Sequence, residues 1–284
     1  MAEQLKEKVY EALKEVEAKE VGVAFSGGVD SSLLAKVCKD VGKKVVLITV
    51  GFLSQRDIGI SDEVSKALGL TLFHDLVSLE ELEEGLETVL ATIKFDRIIR
   101  LENCVSFYYV FRLASKRGLD TVLSANGIDE LFCGYHVYRQ HFGEEPAIRG
   151  LIEAQVELAR KDNEEVNKLA KLFSVEYVCP FLSAGFVEFA KRIPLKFKIK
   201  GKDDTLRKHI IREVALEVGV PESAALRAKK AFQYSSGLHS AIAELSRRKG
   251  FTRKKARAIG LQSGIEAYIK SLKGSLAPKR SSDR

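Results

Sequence analysis

Val21-Gly22-Val23-Ala24-Phe25-Ser26-Gly27-Gly28-Val29-Asp30-Ser31-Ser32-Leu33-Leu34-Ala35-Lys36-Val37 decides the fold of this 284-residue chain. It opens as a β-branched strand and closes as an amphipathic helix, with Ser26 to Ser32 turning one into the other. A Gly-Gly pair at such a junction lets successive backbone N–H groups converge on one point. The helix N-terminus adds the positive end of its dipole, and Ser26, Ser31 and Ser32 add hydroxyl donors. Together they make an anion cradle sized for a phosphate. The loop is neither G-x-x-x-x-G-K-S/T nor G-x-G-x-x-G, so two common nucleotide fingerprints are excluded.

Outward from this unit, strand and helix signals alternate. Val45 to Val50, Leu70 to Phe73 and Thr121 to Leu123 read as short strands, with helical stretches near 30–40, 60–68, 78–93 and 105–117. Repeated βα units predict an α/β fold, a parallel twisted sheet with helices on both faces. From about residue 146 the pattern turns mostly helical, with segments expected at 148–173, 183–191, 204–218 and 237–246. The expected division is an α/β core over 1–145, a helical portion completing the site over 146–244, and a basic segment over 245–284.

Apolar residues make up 45% of the chain and charged residues 30%. No stretch approaches the roughly 18 uninterrupted apolar residues of a membrane span. The net charge is +7, but residues 245–284 carry +10 and the remainder −3. Arg247-Arg248-Lys249 and Arg253-Lys254-Lys255-Ala256-Arg257 therefore read either as a solvated helix face running into a charged tail, or as a patch gripping an RNA backbone. The charged start, Met1 to Lys8, lacks an apolar leader, and Cys38, Cys104, Cys133 and Cys179 are scattered without a C-x-x-C pair. Both point to a cytoplasmic protein without a disulfide framework. No histidine spacing suggests a catalytic zinc.

Ser26-Gly27-Gly28-Val29-Asp30-Ser31-Ser32 resembles the PP-loop of the N-type ATP pyrophosphatases. Three further blocks follow in order. Leu123-Ser124-Ala125-Asn126-Gly127-Ile128-Asp129-Glu130-Leu131-Phe132-Cys133-Gly134-Tyr135 resembles the SGEGxDELFGGY segment of the synthetase domain of asparagine synthetase. Cys179-Pro180-Phe181-Leu182 resembles the start of its PFLD motif, and Arg227-Ala228-Lys229-Lys230-Ala231-Phe232 its R-x-K-x-x-F stretch. This likeness covers residues 20 to 240.

The resemblance implies an ATP-dependent ligase in which a carboxylate attacks the α-phosphorus, pyrophosphate leaves, and ammonia or an amine displaces AMP from the acyl-adenylate. It places Asp30 and Asp129 on a Mg²⁺ ion beside the leaving pyrophosphate, where carboxylates are the natural ligands. Lys229 falls at the position of a cation facing the charge that grows on the α-phosphate and on the tetrahedral intermediate. Arg227 pairs with phosphate or caps a helix. Adenine and ribose lie against Ala24, Phe25, Val50, Ser124 and Gly127, with Ser26, Gly27, Gly28, Asp30, Ser31 and Ser32 on the phosphates.

Three departures bear on the substrate. Asn126 replaces the acid of SGEG, and an amide cannot serve as a general base. Ser183 replaces the acid of PFLD, and the arginine usual before that motif is missing around Tyr177-Val178. An acyl pocket short of charged groups does not suit aspartate. No glutaminase half precedes the loop, so nitrogen would come from free ammonia, an amine or a separate glutaminase subunit. Cys133, in place of a glycine, reads as packing or as a thiol near phosphate.

Overall fold

The computed structural model describes residues 1–52, 59–228 and 237–276. Its centre is one all-parallel sheet of β1 (Glu20–Ala24), β2 (Lys44–Gly51), β3 (Thr71–Leu76), β4 (Thr121–Leu123) and β5 (Glu176–Val178), in the order β3-β2-β1-β4-β5. Val45 to Val50 of β2 are buried as a continuous run, as expected of an inner strand covered on both faces. In register, Val23 of β1 lies between Leu47 and Leu123, and the Phe25 N–H donates to the Ile48 carbonyl at 2.8 Å. The ladder thus continues to the lip of the phosphate-cradle loop.

The chain leaves β1 through α2 (Val29–Asp40) and β2 through α3 (Gly59–Leu68), moving one way across the sheet. It then returns from β3 through α4 (Leu79–Thr92) and α5 (Ile98–Lys116) to β4 on the other side of β1. Right-handed crossovers in opposite directions put these two groups of helices on opposite faces. The order therefore reverses between β1 and β4, and the carboxyl ends of those two strands form the crevice where such sheets bind ligands.

The N-terminal helix α1 (Ala2–Lys14) buries Leu5, Val9, Ala12 and Leu13, one stripe at helical spacing. It packs on α2 and on α10 (His209–Glu217), and α10 packs on α2. The long helix α8 (Glu145–Lys171) carries Pro146 in its first turn, where a missing N–H costs nothing, and lies against α5.

Among the described residues three helices follow residue 237: α12 (Leu238–Arg248), α13 (Arg253–Ala258) and α14 (Gly264–Leu276). The first and last dock on α4. His239 Nδ1 meets the buried Glu102 of α5 at 2.6 Å, while Glu83 of α4 holds Lys249 at 2.7 Å and the Tyr268 hydroxyl at 2.9 Å. Part of the basic segment is thus folded onto the core. The tail expected at Ala277 to Arg284 lies outside the described residues.

The expected α/β class and the first four strands are present. Three local differences have physical causes. Strand β5 completes the edge with Glu176-Tyr177-Val178, which lacks the β-branched run that marks the equally short β4. Helix α5 begins at Ile98 rather than near 105. The helix expected from 204 begins at His209, because Asp204 Oδ1 accepts the N–H groups of Leu206 (3.1 Å) and Arg207 (2.9 Å) and holds that stretch as a turn.

Beneath the site, the fully buried Lys198 donates to the Ala190 carbonyl at 2.7 Å, with its ammonium 5.4 Å from the Phe132 ring centroid. Burial pulls its pKa down to about 8, with Cys133 opposing and Arg149 adding to the shift. The folded value lies below the ordinary lysine value, so the unfolded chain binds more protons between these two values and stability rises with pH across that window. Lys198→Met is expected to raise stability at pH 7 by roughly 3 kcal/mol and to flatten the alkaline rise. Thermal melts of both proteins from pH 7 to 10.5 check both effects.

Candidate functional site

The cradle loop is held by its own serines. The Ser26 N–H donates to Ser31 Oγ at 3.3 Å, Ser31 Oγ donates to the Gly28 carbonyl at 3.3 Å, and the Gly28 N–H donates to Ser26 Oγ at 3.4 Å. Gly27 takes φ +65°, and a Cβ there would stand 3.0 Å from the Ile60 carbonyl oxygen, so glycine alone fits. Gly28 caps α2, whose first turn carries Asp30, Ser31 and Ser32. Ser32 Oγ is buried and has no hydrogen-bond partner, a donor suited to an anion in the cradle.

After β4 the chain turns through Ser124 to Gly127 into α6 (Ile128–Leu131). The Gly127 N–H donates to Glu130 Oε2 at 2.9 Å, and the Tyr135 and Tyr138 hydroxyls hold the Glu130 side chain and carbonyl, respectively. Glu130 is thereby a fixture of the turn. Asp129 is accommodated by Gly134, where a Cβ would come within 1.9 Å of Asp129 Oδ1. Cys133 is fully buried, and burial pushes its thiol up to about 12, with Lys198 opposing. A nucleophilic thiolate is not what that environment favours.

A residue that sequence reasoning missed joins the two halves. Lys208 Nζ donates to Asp30 Oδ2 at 2.6 Å and to Asp129 Oδ1 at 3.0 Å, with 2% of its side chain exposed. Burial alone would lower its pKa, but Asp129 and then Asp30 reverse this, and the net shift is upward. Lys208 is held as the ammonium. It reaches the site because Arg207 and Lys208 both take left-handed backbone, φ 51° and 54°, at the start of α10. The buried Arg212 fixes that turn. Its guanidinium donates to the carbonyls of Leu206 (2.6 Å), Arg207 (2.8 Å), Ala225 (2.5 Å) and Arg227 (2.9 Å). One side chain therefore ties the Lys208 turn to the segment ending in Arg227.

The other side of the crevice departs from charge. Asn126 Nδ2 donates to the Tyr177 hydroxyl at 3.1 Å, which also meets Ser124 Oγ at 2.7 Å. Ser124 Oγ lies 3.3 Å from Cys179 Sγ, which donates to Asn163 Oδ1 at 3.2 Å. Burial raises both Tyr177 and Cys179, the thiol to about 11, so the network is neutral at physiological pH.

Of the expected site residues, the structure brings Ser26, Gly27, Gly28, Asp30, Ser31, Ser32, Asp129, Asn126, Ser124 and Gly127 to the β1–β4 crevice. The Phe25 and Val50 side chains lie wholly in the core, Ala24 is half-buried, and Arg227 contributes its carbonyl to Arg212. Lys229 lies outside the described residues. The only sequence signal for Lys208 and Arg212 is a pair of basic residues flanking the apolar Ile210-Ile211, which by itself reads as a helix start.

A parallel sheet with a serine-glycine anion loop at its reversal point and an aspartate pair across the crevice defines a nucleotide-binding α/β protein. Comparison with known proteins makes this specific. The asparagine synthase family model matches residues 1–165 and 143–263. A Methanocaldococcus jannaschii protein, provisionally named asparagine synthetase (glutamine-hydrolysing) 1, is 31% identical over 268 residues, covering 83% of this chain and 49% of its own length. Asparagine synthetase B (glutamine-hydrolysing) of Escherichia coli is 29% identical over 236 residues, 76% of this chain and 41% of its own. The chain belongs to the asparagine synthase family, a family that implies ATP use. It spans less than half the length of these relatives.

Breaking a buried bridge by removing one partner leaves uncompensated charge. Lys208→Met is expected to lower stability by about 3 to 5 kcal/mol in denaturant titration, and millimolar Mg²⁺ should recover part of that loss by binding between Asp30 and Asp129. A loss that Mg²⁺ leaves untouched would mean that the carboxylate pair does not accept the ion.

Proposed function

We propose that this chain is an ATP-dependent ligase that converts a carboxylate to its acyl-adenylate, releasing pyrophosphate, and passes the acyl group to ammonia or an amine, releasing AMP. The observation that carries this reading is the convergence of Asp30, from the cradle loop, and Asp129, from the loop after β4, on a single cation position now taken by Lys208 Nζ. Two carboxylates aimed at one cation fit Mg²⁺, which commonly takes one or two protein carboxylates and completes its shell with phosphate oxygens and water. Among the described residues no cluster of three or more metal-ligating side chains competes with this arrangement. When bound, the ion would neutralise charge on the departing pyrophosphate.

The protein's own groups then have distinct tasks. The Gly27 N–H, the N–H groups that open α2 and the Ser32 hydroxyl hold phosphate oxygens at the N-terminus of α2. Lys208 spaces the two carboxylates before the ion binds and, displaced by it, would offer its ammonium to a phosphate oxygen. Lys229 is assigned to the α-phosphate and the tetrahedral intermediate on the family motif alone. The neutral Asn126–Tyr177–Ser124 network lines the acyl side and disfavours an acyl substrate as highly charged as aspartate. Ammonia from a separate glutaminase subunit, or an amine, completes the reaction. The RNA partner considered from composition rests on charge alone.

ATP–pyrophosphate exchange with Mg²⁺ across a panel of amino acids, other carboxylates and bulk tRNA tests the reading. The expected result is exchange that depends on one small carboxylate, falls about 100-fold or more in Asp129→Asn, and falls comparably in Lys229→Ala with ATP binding retained. Exchange supported only by tRNA, or by nothing in the panel, overturns it.

A further inference from the structure

Arg207 is a buried cation that the reading above leaves without a task. It precedes Lys208 on the left-handed turn and is only 8% exposed. Its main chain is engaged on both sides: the N–H donates to Asp204 Oδ1 at 2.9 Å, and the carbonyl accepts from Arg212 Nε at 2.8 Å. Among the described residues its side chain makes no hydrogen bond. Nε is buried and donates to nothing, and no carboxylate lies at ion-pair distance from the guanidinium among the described residues.

The carboxylates in its neighbourhood have other duties. Asp129 accepts from Lys208, and Asp204 accepts three backbone N–H groups and meets His209 Nε2 at 2.7 Å. Arg139, whose Nε donates to the Lys202 carbonyl at 2.6 Å, adds a further positive charge against Arg207. Burial pushes the Arg207 pKa down, Asp129 chiefly opposing, but a guanidinium starts so high that it stays charged at neutral pH. A donor nitrogen of a charged group that is taken from water and given no acceptor, as Nε is here, is costly unless a ligand supplies one. The fork matches an oxyanion in two parallel hydrogen bonds, which a lysine could not do.

We propose that Arg207 is an anion-binding residue of this site, receiving an oxyanion of the reactants next to the Lys208 bridge. The proposal rests on the ligase reading and adds a ligand contact to it. Phosphate and carboxylate share the chemistry that Arg207 recognises. The two sources are the pyrophosphate end of ATP, which the neighbouring Asp30 loop holds, and a second acid group on the acyl substrate.

Isothermal titration of the full chain with inorganic pyrophosphate, acetate and succinate, for wild type and Arg207→Met, decides the matter. The expected result is wild-type binding of pyrophosphate or succinate that weakens about tenfold to a hundredfold in the variant, while its melting temperature without ligand stays level or rises. Loss confined to pyrophosphate assigns the phosphate end. Loss confined to succinate, with acetate bound no better than before, assigns a second acid group on the acyl substrate. Equal affinities in the two proteins overturn the proposal, as does a wild type that binds none of these anions. Arg207→Lys, which keeps the charge without the fork, serves if the methionine variant does not fold, and is expected to bind more weakly than wild type by about tenfold. None of these titrations contains ATP, so a failure of exchange activity and a failure of Arg207 to bind anions are read separately.

Discussion

Lys208 between Asp30 and Asp129 is the interaction on which the rest of the architecture depends. Each carboxylate stands in the first turn of a different helix at the sheet's reversal point, and the ammonium arrives from a third element packed on α1 and α2. Two half-buried like charges facing one crevice would repel; a shared cation turns that repulsion into a three-way join. A buried bridge of this kind is poor evidence for stability, because desolvation offsets much of the attraction. Its value lies in position: it fixes the spacing of two acids that no backbone hydrogen bond connects directly.

The turn that delivers Lys208 is built against local preference. Two successive non-glycine residues in left-handed backbone cost of order 1 to 3 kcal/mol each and persist only where the surroundings over-determine them. Here Asp204 holds the turn from below through backbone N–H groups, and Arg212 holds it from above through carbonyls. Arg212 also reaches the carbonyls of Ala225 and Arg227, so the strain is supported by a side chain that equally fixes the approach to the R-x-K motif. An arginine paired only with carbonyls is well suited to this, since its planar fork satisfies several acceptors at once without neutralising the site's charges.

The sequence made plain what is local. Strand, Gly-Gly turn and helix over residues 21–40 share one contiguous signal, because the anion loop needs φ > 0 at Gly27 and donors at fixed offsets from it. Asp129 was legible for the same reason, through a short motif whose Gly134 leaves room for the carboxylate. Lys208 was not, because its role depends on a partner 178 residues away and on how α10 packs against α2. Periodicity even argued the wrong way, extending a helix back to Asp204 across the turn that gives Lys208 its direction. Tyr177 reads in the sequence only as the loss of an arginine; that its hydroxyl bridges Ser124 and Asn126 follows from β5 lying beside β4, a pairing between segments more than 50 residues apart that no local pattern announces.

Charge is distributed across the crevice in a way that constrains its chemistry. Around the cradle loop stand Asp30, Asp129, Lys208 and Arg207, a cluster of carboxylic and basic side chains. On the other side stand Asn126, Tyr177, Ser124 and Cys179, all neutral, with burial driving the phenol and thiol pKa values upward. A neutral network of satisfied donors and acceptors cannot take up a proton from an incoming amine, since none of its members is basic near neutral pH. Under the ligase reading the nucleophile must therefore arrive unprotonated or lose its proton to the substrate itself. Ammonia released directly into the site, or an amine of low basicity, meets that demand; a protonated alkylamine from bulk water does not. The loss of one carboxylate at position 126 thus narrows the nitrogen donor as much as it narrows the acid.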